Sequence, residues 1–176
     1  RLLGEGYSLN NVHIPYIPTV TAIGHTSIYT GSVPSIHGIA GNDWTDKATG
    51  KNVYCTADDS VNPVGSDNKK NGSHSPKNLW STTMTDQLRI ASNFRSKVVG
   101  VSLKDRASIL PAGHNPTGAF WFDDASGNFI TSSYYMTELP KWVKDFNEQK
   151  VPDKLLANGW ETALPINEYT ESTEIM

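Results

Sequence analysis

The sequence predicts an α/β fold. A helical pattern opened by Ser75-Pro76 is followed by the short apolar run Lys97–Leu103, which is typical of a buried strand. A helix that leads into a buried strand favours a sheet covered by helices. Two further segments combine strand-like residues with a glycine turn, so we also expect β-hairpins. The 176 residues are enough for one domain with a sizeable core.

The first third of the chain predicts short elements. Tyr7–Val12 is typical of a short strand, and it leads into an extended, proline-containing arm. A short helix is expected over Gly24–Thr30, because Gly31 and Pro34 would end it. The polar stretch 57–78 is rich in Gly, Asn, Ser and Lys and predicts a surface loop.

Two longer helices are expected further along. In the first, Ser75 would be the cap and Pro76 the first helical position. Its apolar face would hold Trp80, Met84, Leu88 and Ala91. A second helix should start near Thr137, with one face formed by Leu139, Trp142, Val143 and Phe146.

The segments Trp44–Val53 and Trp121–Ile130 share the pattern W-x-D-x-A-[ST]-G-[KN]-x-[VI]. Each copy predicts a strand, a glycine turn and a return strand, so we expect two similar hairpins. Two copies do not make a solenoid, which needs at least three stacked units, and coincident turn chemistry explains the likeness better.

Composition excludes several classes of protein. With 37% hydrophobic and 19% charged residues, the chain is expected to fold. A net charge of -3 argues against general nucleic-acid binding, and no apolar run is long enough to span a membrane. The single cysteine, Cys55, excludes an internal disulfide and a cysteine-based zinc site. No obligate protein partner is predicted.

The most informative stretch is Ile14–Gly31, which predicts an extended arm that carries Thr21 to the first turn of a short helix. Asn42 follows within the segment Ile36–Trp44. A hydroxyl at such a position lies beside free backbone N–H groups and the positive end of the helix dipole, which suits anions. We therefore interpret Thr21 as a phosphoryl-transfer nucleophile. The alternatives are an ordinary helix cap for Thr21 and a turn position for Asn42.

Lys104 and Arg106 follow the apolar run, at the carboxyl end of the expected strand. Open α/β sheets bind ligands outside the carboxyl ends of their strands. The two residues alternate around Asp105, so in an extended chain both would point to one face. Arginine can hold two phosphoryl oxygens at once, and lysine supplies a point charge. The alternative is a solvated strand end in which Asp105 pairs with a neighbour.

His25 lies one turn after Thr21 and is a candidate base. A histidine in an apolar helix is more often a hydrogen-bonded core residue, so we favour that role. His74 and His114 lie in separate loops, and their spacing does not predict a shared metal ion.

Around these residues the sequence resembles the alkaline phosphatase superfamily. The likeness is closest to its phosphate-irrepressible bacterial alkaline phosphatases, which are related to type I phosphodiesterases and nucleotide pyrophosphatases. It lies in the segments PTVTAIGH (18–25), YTGSVPSIHG (29–38), GN (41–42) and SLKDRASILPAGH (102–114). The resemblance implies that residues 1–176 are one part of a catalytic domain with a three-layer α/β/α core and inserted hairpins.

The resemblance also implies residue roles. Thr21 would form a phosphothreonine intermediate and contact one zinc ion. The Asn42 side chain and the backbone N–H of Ala22 would hold a non-bridging phosphoryl oxygen. Lys104 and Arg106 would stabilise the remaining charge of a phosphate monoester, with Lys104 on the leaving-group side. The substrate would be a small-molecule phosphate ester, hydrolysed in the periplasm or outside the cell.

The metal ligands are where this chain departs from the family. Its members hold two zinc ions with Asp and His residues, which would precede Arg1 and follow Met176. Thr21 would be the one direct ligand in this chain, which we therefore expect to be part of a longer protein. The helix-like ending at Arg1–Gly6 suggests the same.

Energetics explains why the metals matter. A hydroxyl about as acidic as water must lose roughly 8 pKa units to attack at neutral pH. That difference is on the order of 11 kcal/mol, whereas a helix terminus supplies at best ~2 kcal/mol. Bound zinc can supply the whole shift. We therefore expect the chain alone to be inactive.

Three other functions compete with a phosphomonoesterase. A phosphodiesterase or nucleotide pyrophosphatase is disfavoured by Lys104 and Arg106, because a diester has less charge to neutralise. A sulfatase is disfavoured because the residues after Cys55 lack the C-x-P-x-R pattern. A non-enzymatic glycan-binding or adhesion module would use the 5 Trp and 7 Tyr residues for sugar stacking.

Overall fold

The computed structural model describes residues 2–169, and their elements form an α/β fold, as predicted. The helices are α1 (Leu2–Glu5), α2 (Thr21–Thr30), α3 (Pro34–His37), α4 (Lys69–Gly72), α5 (Met84–Ala91), α6 (Asp105–Ala112), α7 (Lys141–Glu148) and α8 (Val151–Leu156), followed by a 3-10 turn at Ile166–Glu168. The strands are β1 (Asp43–Thr45), β2 (Asn52–Tyr54), β3 (Pro63–Val64), β4 (Val99–Ser102), β5 (Gly118–Asp123) and β6 (Asn128–Ser132). No helix among the described residues is long and apolar enough to cross a bilayer.

A four-stranded mixed sheet with the order β3-β6-β5-β4 forms the centre of the fold. β4 and β5 are parallel and are connected through α6, whereas β6 is antiparallel to both of its neighbours. A parallel pair requires a crossover, and α6 provides it. The crossover packs closely, because a Cβ atom at Gly100 of β4 would collide with the backbone oxygen of Ser108 in α6.

Helices cover both faces of the sheet. Ile109 and Ala112 of α6 pack against Ala119, Trp121 and Ile130 on one face. Phe120 points to the other face, where it contacts Leu139 and Val143. Successive residues of β5 thus alternate between the two helical layers, as the period of a strand requires.

A separate apolar cluster fixes α2. Ala22 and Ile23 of α2 pack with Ile39, Cys55 and Leu110, together with Leu79. All of these side chains are almost fully buried. Since burial of each larger side chain contributes about 1.5–3 kcal/mol, the cluster holds the amino end of α2 against α6 and the β1–β2 hairpin.

Both predicted hairpins are present. Trp44 pairs with Val53 between β1 and β2, and Trp121 pairs with Ile130 between β5 and β6. Gly50 and Gly127 take φ values of 69° and 68° in the two turns. That left-handed conformation favours glycine, which explains why both copies of the pattern have glycine at this position.

Several boundaries expected from the sequence are wrong. Tyr7–Val12 forms no strand; it is exposed and pairs with no neighbouring strand. Stretch 57–78 is more than a surface loop, because it contains β3, α4 and the buried residues Asp58 and His74. The later helix begins at Lys141, after Pro140, instead of near Thr137. It buries Val143 and leaves Trp142 largely exposed.

The helix expected from Ser75-Pro76 also begins later. Thr83 and Asp86 form a reciprocal capping box, so α5 starts at Met84. The Ser75 hydroxyl donates instead to Asp58 Oδ2 at 2.6 Å. The expected apolar face is wrong too: Trp80, Met84 and Leu88 are exposed, and α5 buries Asp86.

β4 was expected to be buried, but it lies at the edge of the sheet among the described residues. Val99 and Val101 are 47% and 56% exposed. An apolar edge of this kind normally needs a cover, because unpaired strand groups promote association.

Asp86 organises the region after α5. Its carboxylate accepts hydrogen bonds from the backbone N–H groups of Thr83, His114 and Asn115. The His114 ring lies 3.2 Å from Asp86 Oδ2. Burial opposes ionisation of Asp86, but the bonds from His114 and the backbone outweigh it and lower its pKa. The bond to Asp86 raises the pKa of His114.

This pair predicts how stability changes with pH. The stability that protonated His114 contributes is fully present below its unfolded pKa of about 6.5. It is lost as pH rises through the higher folded pKa. The stability that ionised Asp86 contributes is fully present above its unfolded pKa of about 3.9. It is lost as pH falls through the lower folded pKa. We expect the free energy of unfolding to fall as pH rises above about 6.5, and to fall less in His114→Gln. Urea denaturation across this range, with exposed His13→Gln as control, measures it; identical pH dependences in wild type and His114→Gln would contradict the pairing.

Candidate active site

The amino end of α2 presents Thr21 to solvent. Val20 is the N-cap residue, with extended φ and ψ values of -105° and 167° and no side-chain cap bond. Thr21 is therefore the first helical residue, so it lies in the first turn, as predicted, and is not an ordinary cap. The helix itself begins three residues before the Gly24 start that the sequence indicated. The Thr21 side chain is exposed, and its hydroxyl makes no hydrogen bond to any of residues 2–169. The hydroxyl is free to act as a nucleophile or a ligand.

Asn42 lies directly beside this helix end. Its Oδ1 accepts the backbone N–H of Ala22 at 2.9 Å, so the structure brings together the two groups expected to hold one phosphoryl oxygen. The Asn42 side-chain NH₂ has no partner among the described residues. Donors at a helix N-terminus, reinforced by the helix dipole, favour an anion beside Thr21.

Lys104 and Arg106 lie at the carboxyl end of β4, as predicted, but they do not alternate along an extended chain. Lys104 is the N-cap residue of α6, and Arg106 lies in its first turn because Asp105 begins the helix. Both side chains nevertheless line one cavity of about 420 Å³. Thr21 and Asn42 do not line this cavity, so the four candidate residues form two separate pairs.

A short hydrogen-bond chain holds Arg106. Its Nη1 donates to the Tyr54 hydroxyl at 2.7 Å, and that hydroxyl donates to Asp105 Oδ1 at 2.9 Å. The Thr56 hydroxyl donates to the other oxygen of Asp105. Burial, followed by the charge of Asp105, raises the pKa of Tyr54, so the phenol stays protonated. Burial alone would lower the pKa of Arg106, but the bond to Tyr54 raises it.

The β1–β2 hairpin connects the two pairs. Asp43 is opposite Tyr54 in the register, and the Cys55 N–H donates to the backbone oxygen of Asn42 at 2.9 Å. Asn42 precedes one strand, and Tyr54 ends the other. One two-stranded unit therefore contacts α2 through Asn42 and α6 through Tyr54.

Tyr54, Thr56 and Asp105 were not predicted as site residues. Asp105 was considered only as a partner for its neighbours. The glycine turn at Gly50 is the one sequence signal that bears on Tyr54, because the turn fixes the register that places Tyr54 opposite Asp43. Nothing in the local pattern indicates that Tyr54 reaches a helix more than fifty positions later.

The histidines take separate positions. His25 lines a cavity of about 250 Å³ between α2 and the β4–α6 unit, and this cavity does not include Lys104 or Arg106. The Nδ1 of buried His37 accepts from the N–H of Ile39, while its Nε2 lies 3.1 Å from the Ser27 hydroxyl. Among the described residues, no three His, Cys, Asp or Glu side chains are grouped so that they could hold a metal ion.

An α/β fold with a free threonine at a helix N-terminus, an adjacent amide and a nearby lysine–arginine pair defines a candidate phosphoryl-transfer enzyme. Residues 1–175 match the family model for type I phosphodiesterase/nucleotide pyrophosphatase. The chain belongs to this family.

Similar proteins include two bacterial alkaline phosphatases. Alkaline phosphatase PafA of Elizabethkingia meningoseptica is 75% identical over 99% of this chain and 32% of its own length. Alkaline phosphatase PhoV of Synechococcus elongatus is 57% identical over 98% of this chain and 31% of its own length. The crystal structure of a PafA variant superposes with a TM-score of 0.89 and 73% identity, covering 96% of this chain and 33% of that one. The chain thus spans about a third of the length of these relatives.

The buried thiol at the end of the hairpin gives a direct test of the site's packing. Burial, followed by the charge of Asp105, raises the pKa of Cys55 to about 12. At about pH 8 only about one thiol in ten thousand would be ionised, so native Cys55 should resist alkylation. We expect iodoacetamide to modify it only after denaturation, as followed by peptide mass spectrometry. Rapid alkylation of the native protein would show that the hairpin does not pack here.

Proposed function

We propose that the whole enzyme, a protein of the relatives' length that contains this chain, hydrolyses phosphate monoesters with Thr21 as nucleophile. Residues 1–176 would form part of its single catalytic domain. The observation that carries the proposal is the convergence of the Ala22 N–H and Asn42 beside the free Thr21 hydroxyl. The two relatives named alkaline phosphatases support it.

In the proposed reaction, Thr21 Oγ1 gives up its proton and bonds to phosphorus while the bond from phosphorus to the ester oxygen breaks. The ester oxygen leaves as an alcohol after taking up a proton. Water then attacks the phosphothreonine, and the products are inorganic phosphate and the original Thr21 hydroxyl. The Asn42 NH₂ would stabilise charge on a non-bridging oxygen, a contribution that is typically about 10²–10³-fold per donor. The Ala22 N–H, which donates to Asn42 Oδ1 in this structure, would contribute in the same way once it exchanges that acceptor for the phosphoryl oxygen.

Lys104 and Arg106 would determine the preference for a monoester. A monoester dianion carries one more negative charge than a diester at neutral pH. The guanidinium can make charge-assisted bonds to phosphoryl oxygens, and the ammonium of Lys104 can offset charge on the leaving oxygen. Both groups lie at the carboxyl end of a parallel strand, where α/β sheets bind ligands.

A further observation supports these four residues. The solved PafA variant carries substitutions of a threonine, an asparagine, a lysine and an arginine. Those positions have the same spacing in sequence as Thr21, Asn42, Lys104 and Arg106. We propose that the four residues here have corresponding roles.

The proposal includes two zinc ions in the whole enzyme. The exposed, unbonded Thr21 hydroxyl suits a metal ligand, but residues 2–169 do not by themselves form a metal site. The other ligands would come from the rest of the enzyme. A bound zinc ion would make the threonine hydroxyl acidic enough to attack at neutral pH. By the same proposal the chain alone is inactive, and the enzyme works in the periplasm or outside the cell.

The family description keeps a phosphodiesterase or nucleotide pyrophosphatase as the second candidate. The glycan-binding alternative has no such support. Trp121 is 1% exposed, and its indole N–H donates to the backbone oxygen of Asn71. A tryptophan in that position cannot stack on a sugar, so this hairpin does not supply the proposed sugar platform, although Trp80, Trp142 and Trp160 are more than half exposed.

The nucleophile is tested by Thr21→Ala in the whole enzyme. Without the hydroxyl no phosphothreonine can form, so we expect kcat/KM for a phosphate monoester to fall by at least about 10³-fold. Thr30→Ala, at the other end of α2, is the matched control and should retain activity within about threefold. Steady-state kinetics of a chromogenic monoester measure both. Comparable activity in wild type and Thr21→Ala would reject the proposed nucleophile.

The choice between monoester and diester is tested by Arg106→Ala. We expect monoester kcat/KM to fall by at least about 100-fold, because the dianion loses a charge-assisted partner. Diester kcat/KM should change far less. Arg95→Ala, at an exposed arginine, is the matched control and should leave kcat/KM unchanged for both substrates. The phosphodiesterase would be favoured instead if the wild-type enzyme had a higher kcat/KM for diesters than for monoesters and Arg106→Ala left that preference unchanged.

A further inference from the structure

Tyr54 makes the one hydrogen bond that the Arg106 guanidinium forms among the described residues. Arg106 Nη1 donates to the Tyr54 hydroxyl at 2.7 Å, and the guanidinium carbon lies 6.0 Å from the centre of the Tyr54 ring. Arg106 Nε is buried and has no partner within residues 2–169. The position of the charged group therefore depends on a single phenol.

The direction of that bond is fixed by Asp105. A carboxylate can only accept, so the Tyr54 proton must point to Asp105 Oδ1, 2.9 Å away. A lone pair of the phenol oxygen then faces Arg106. Asp105 itself is buried, with 8% exposure, and its second oxygen accepts from Thr56. The acceptor that holds Arg106 is thus oriented by a carboxylate that is itself held in place.

The contact also fixes which edge of the guanidinium is free. One Nη1 proton is engaged with Tyr54 and Nε is buried, so Nη2 and the second Nη1 proton carry the accessible donors. Two neighbouring guanidinium N–H groups of this kind can make parallel bonds to an oxyanion. Tyr54 ends the hairpin that begins beside Asn42. The same hairpin therefore positions both this edge of the guanidinium and the Asn42 side-chain amide beside Thr21.

We infer that Tyr54, oriented by Asp105, is a positioning residue that sets the Arg106 guanidinium for the phosphoryl group of a monoester. The inference rests on the proposed function and extends it, since Tyr54 itself contacts no substrate. Its contribution to the reaction passes entirely through Arg106. Loss of the phenol hydroxyl should therefore weaken the monoester preference and leave diester hydrolysis almost unchanged.

The test is Tyr54→Phe in the whole enzyme, with wild type, Arg106→Ala and the double variant assayed in parallel. We expect Tyr54→Phe to lower monoester kcat/KM about tenfold, a typical effect of losing one hydrogen bond to a charged group. Diester kcat/KM should change less than about twofold. The inhibition constant of inorganic phosphate should rise about tenfold. In the Arg106→Ala background, Tyr54→Phe should change monoester kcat/KM less than about twofold.

Tyr135→Phe is the matched control. Its hydroxyl is also buried, but it has no hydrogen-bond partner among the described residues. The same chemical change there should leave both activities and phosphate inhibition unaltered. Thermal unfolding of each variant detects any general loss of structure.

Three results would overturn the inference. The first is an unchanged monoester kcat/KM in Tyr54→Phe. The second is an equal loss of kcat/KM on monoester and diester in that variant. The third is an effect of Tyr54→Phe on monoester kcat/KM that is as large in the Arg106→Ala background as in the wild type. The Arg106→Ala arm separates this failure from failure of the proposed function. If Arg106→Ala lowers monoester hydrolysis and Tyr54→Phe does not, only the inference fails. If Arg106→Ala has no effect on monoesters, the proposed role of Arg106 fails, and the inference with it.

Discussion

The pairing of β1 with β2 is the constraint on which the candidate site depends. Asn42 and Tyr54 lie at the open end of this hairpin, where the Cys55 N–H donates to Asn42. From there one side chain reaches α2 and the other reaches α6. Because strand register is set in steps of one residue, a slip would turn both side chains away together. The hairpin thus keeps an amide and a guanidinium, on different elements, at a fixed separation.

The parts of the site that were predictable are those encoded locally. Gly31 and Pro34 follow α2, and the free Thr21 hydroxyl at its start was expected from the arm that precedes it. The glycine turns gave both hairpins, and the position of Lys104 and Arg106 after β4 was also correct.

The errors arose where several local signals compete or where partners are distant. Ser75-Pro76 and Thr83 are both good helix starts, and only the structure shows that the Ser75 hydroxyl is used by Asp58. Asp105 was placed in an extended chain, whereas it begins α6. Its bonds to Tyr54 and Thr56 join residues about fifty positions apart, a distance at which periodicity and capping patterns carry no information.

The account turns on whether Thr21 becomes covalently phosphorylated during turnover. Acid quenching of the whole enzyme during hydrolysis of a phosphate monoester, followed by peptide mass spectrometry, tests this directly. We predict a phosphoryl group on the peptide that contains Thr21, at the Thr21 side chain, and its absence from unreacted enzyme. In-line attack by water without a covalent intermediate would instead invert the configuration at phosphorus. An unmodified Thr21 peptide, together with inversion of a chiral phosphate ester, would contradict the account.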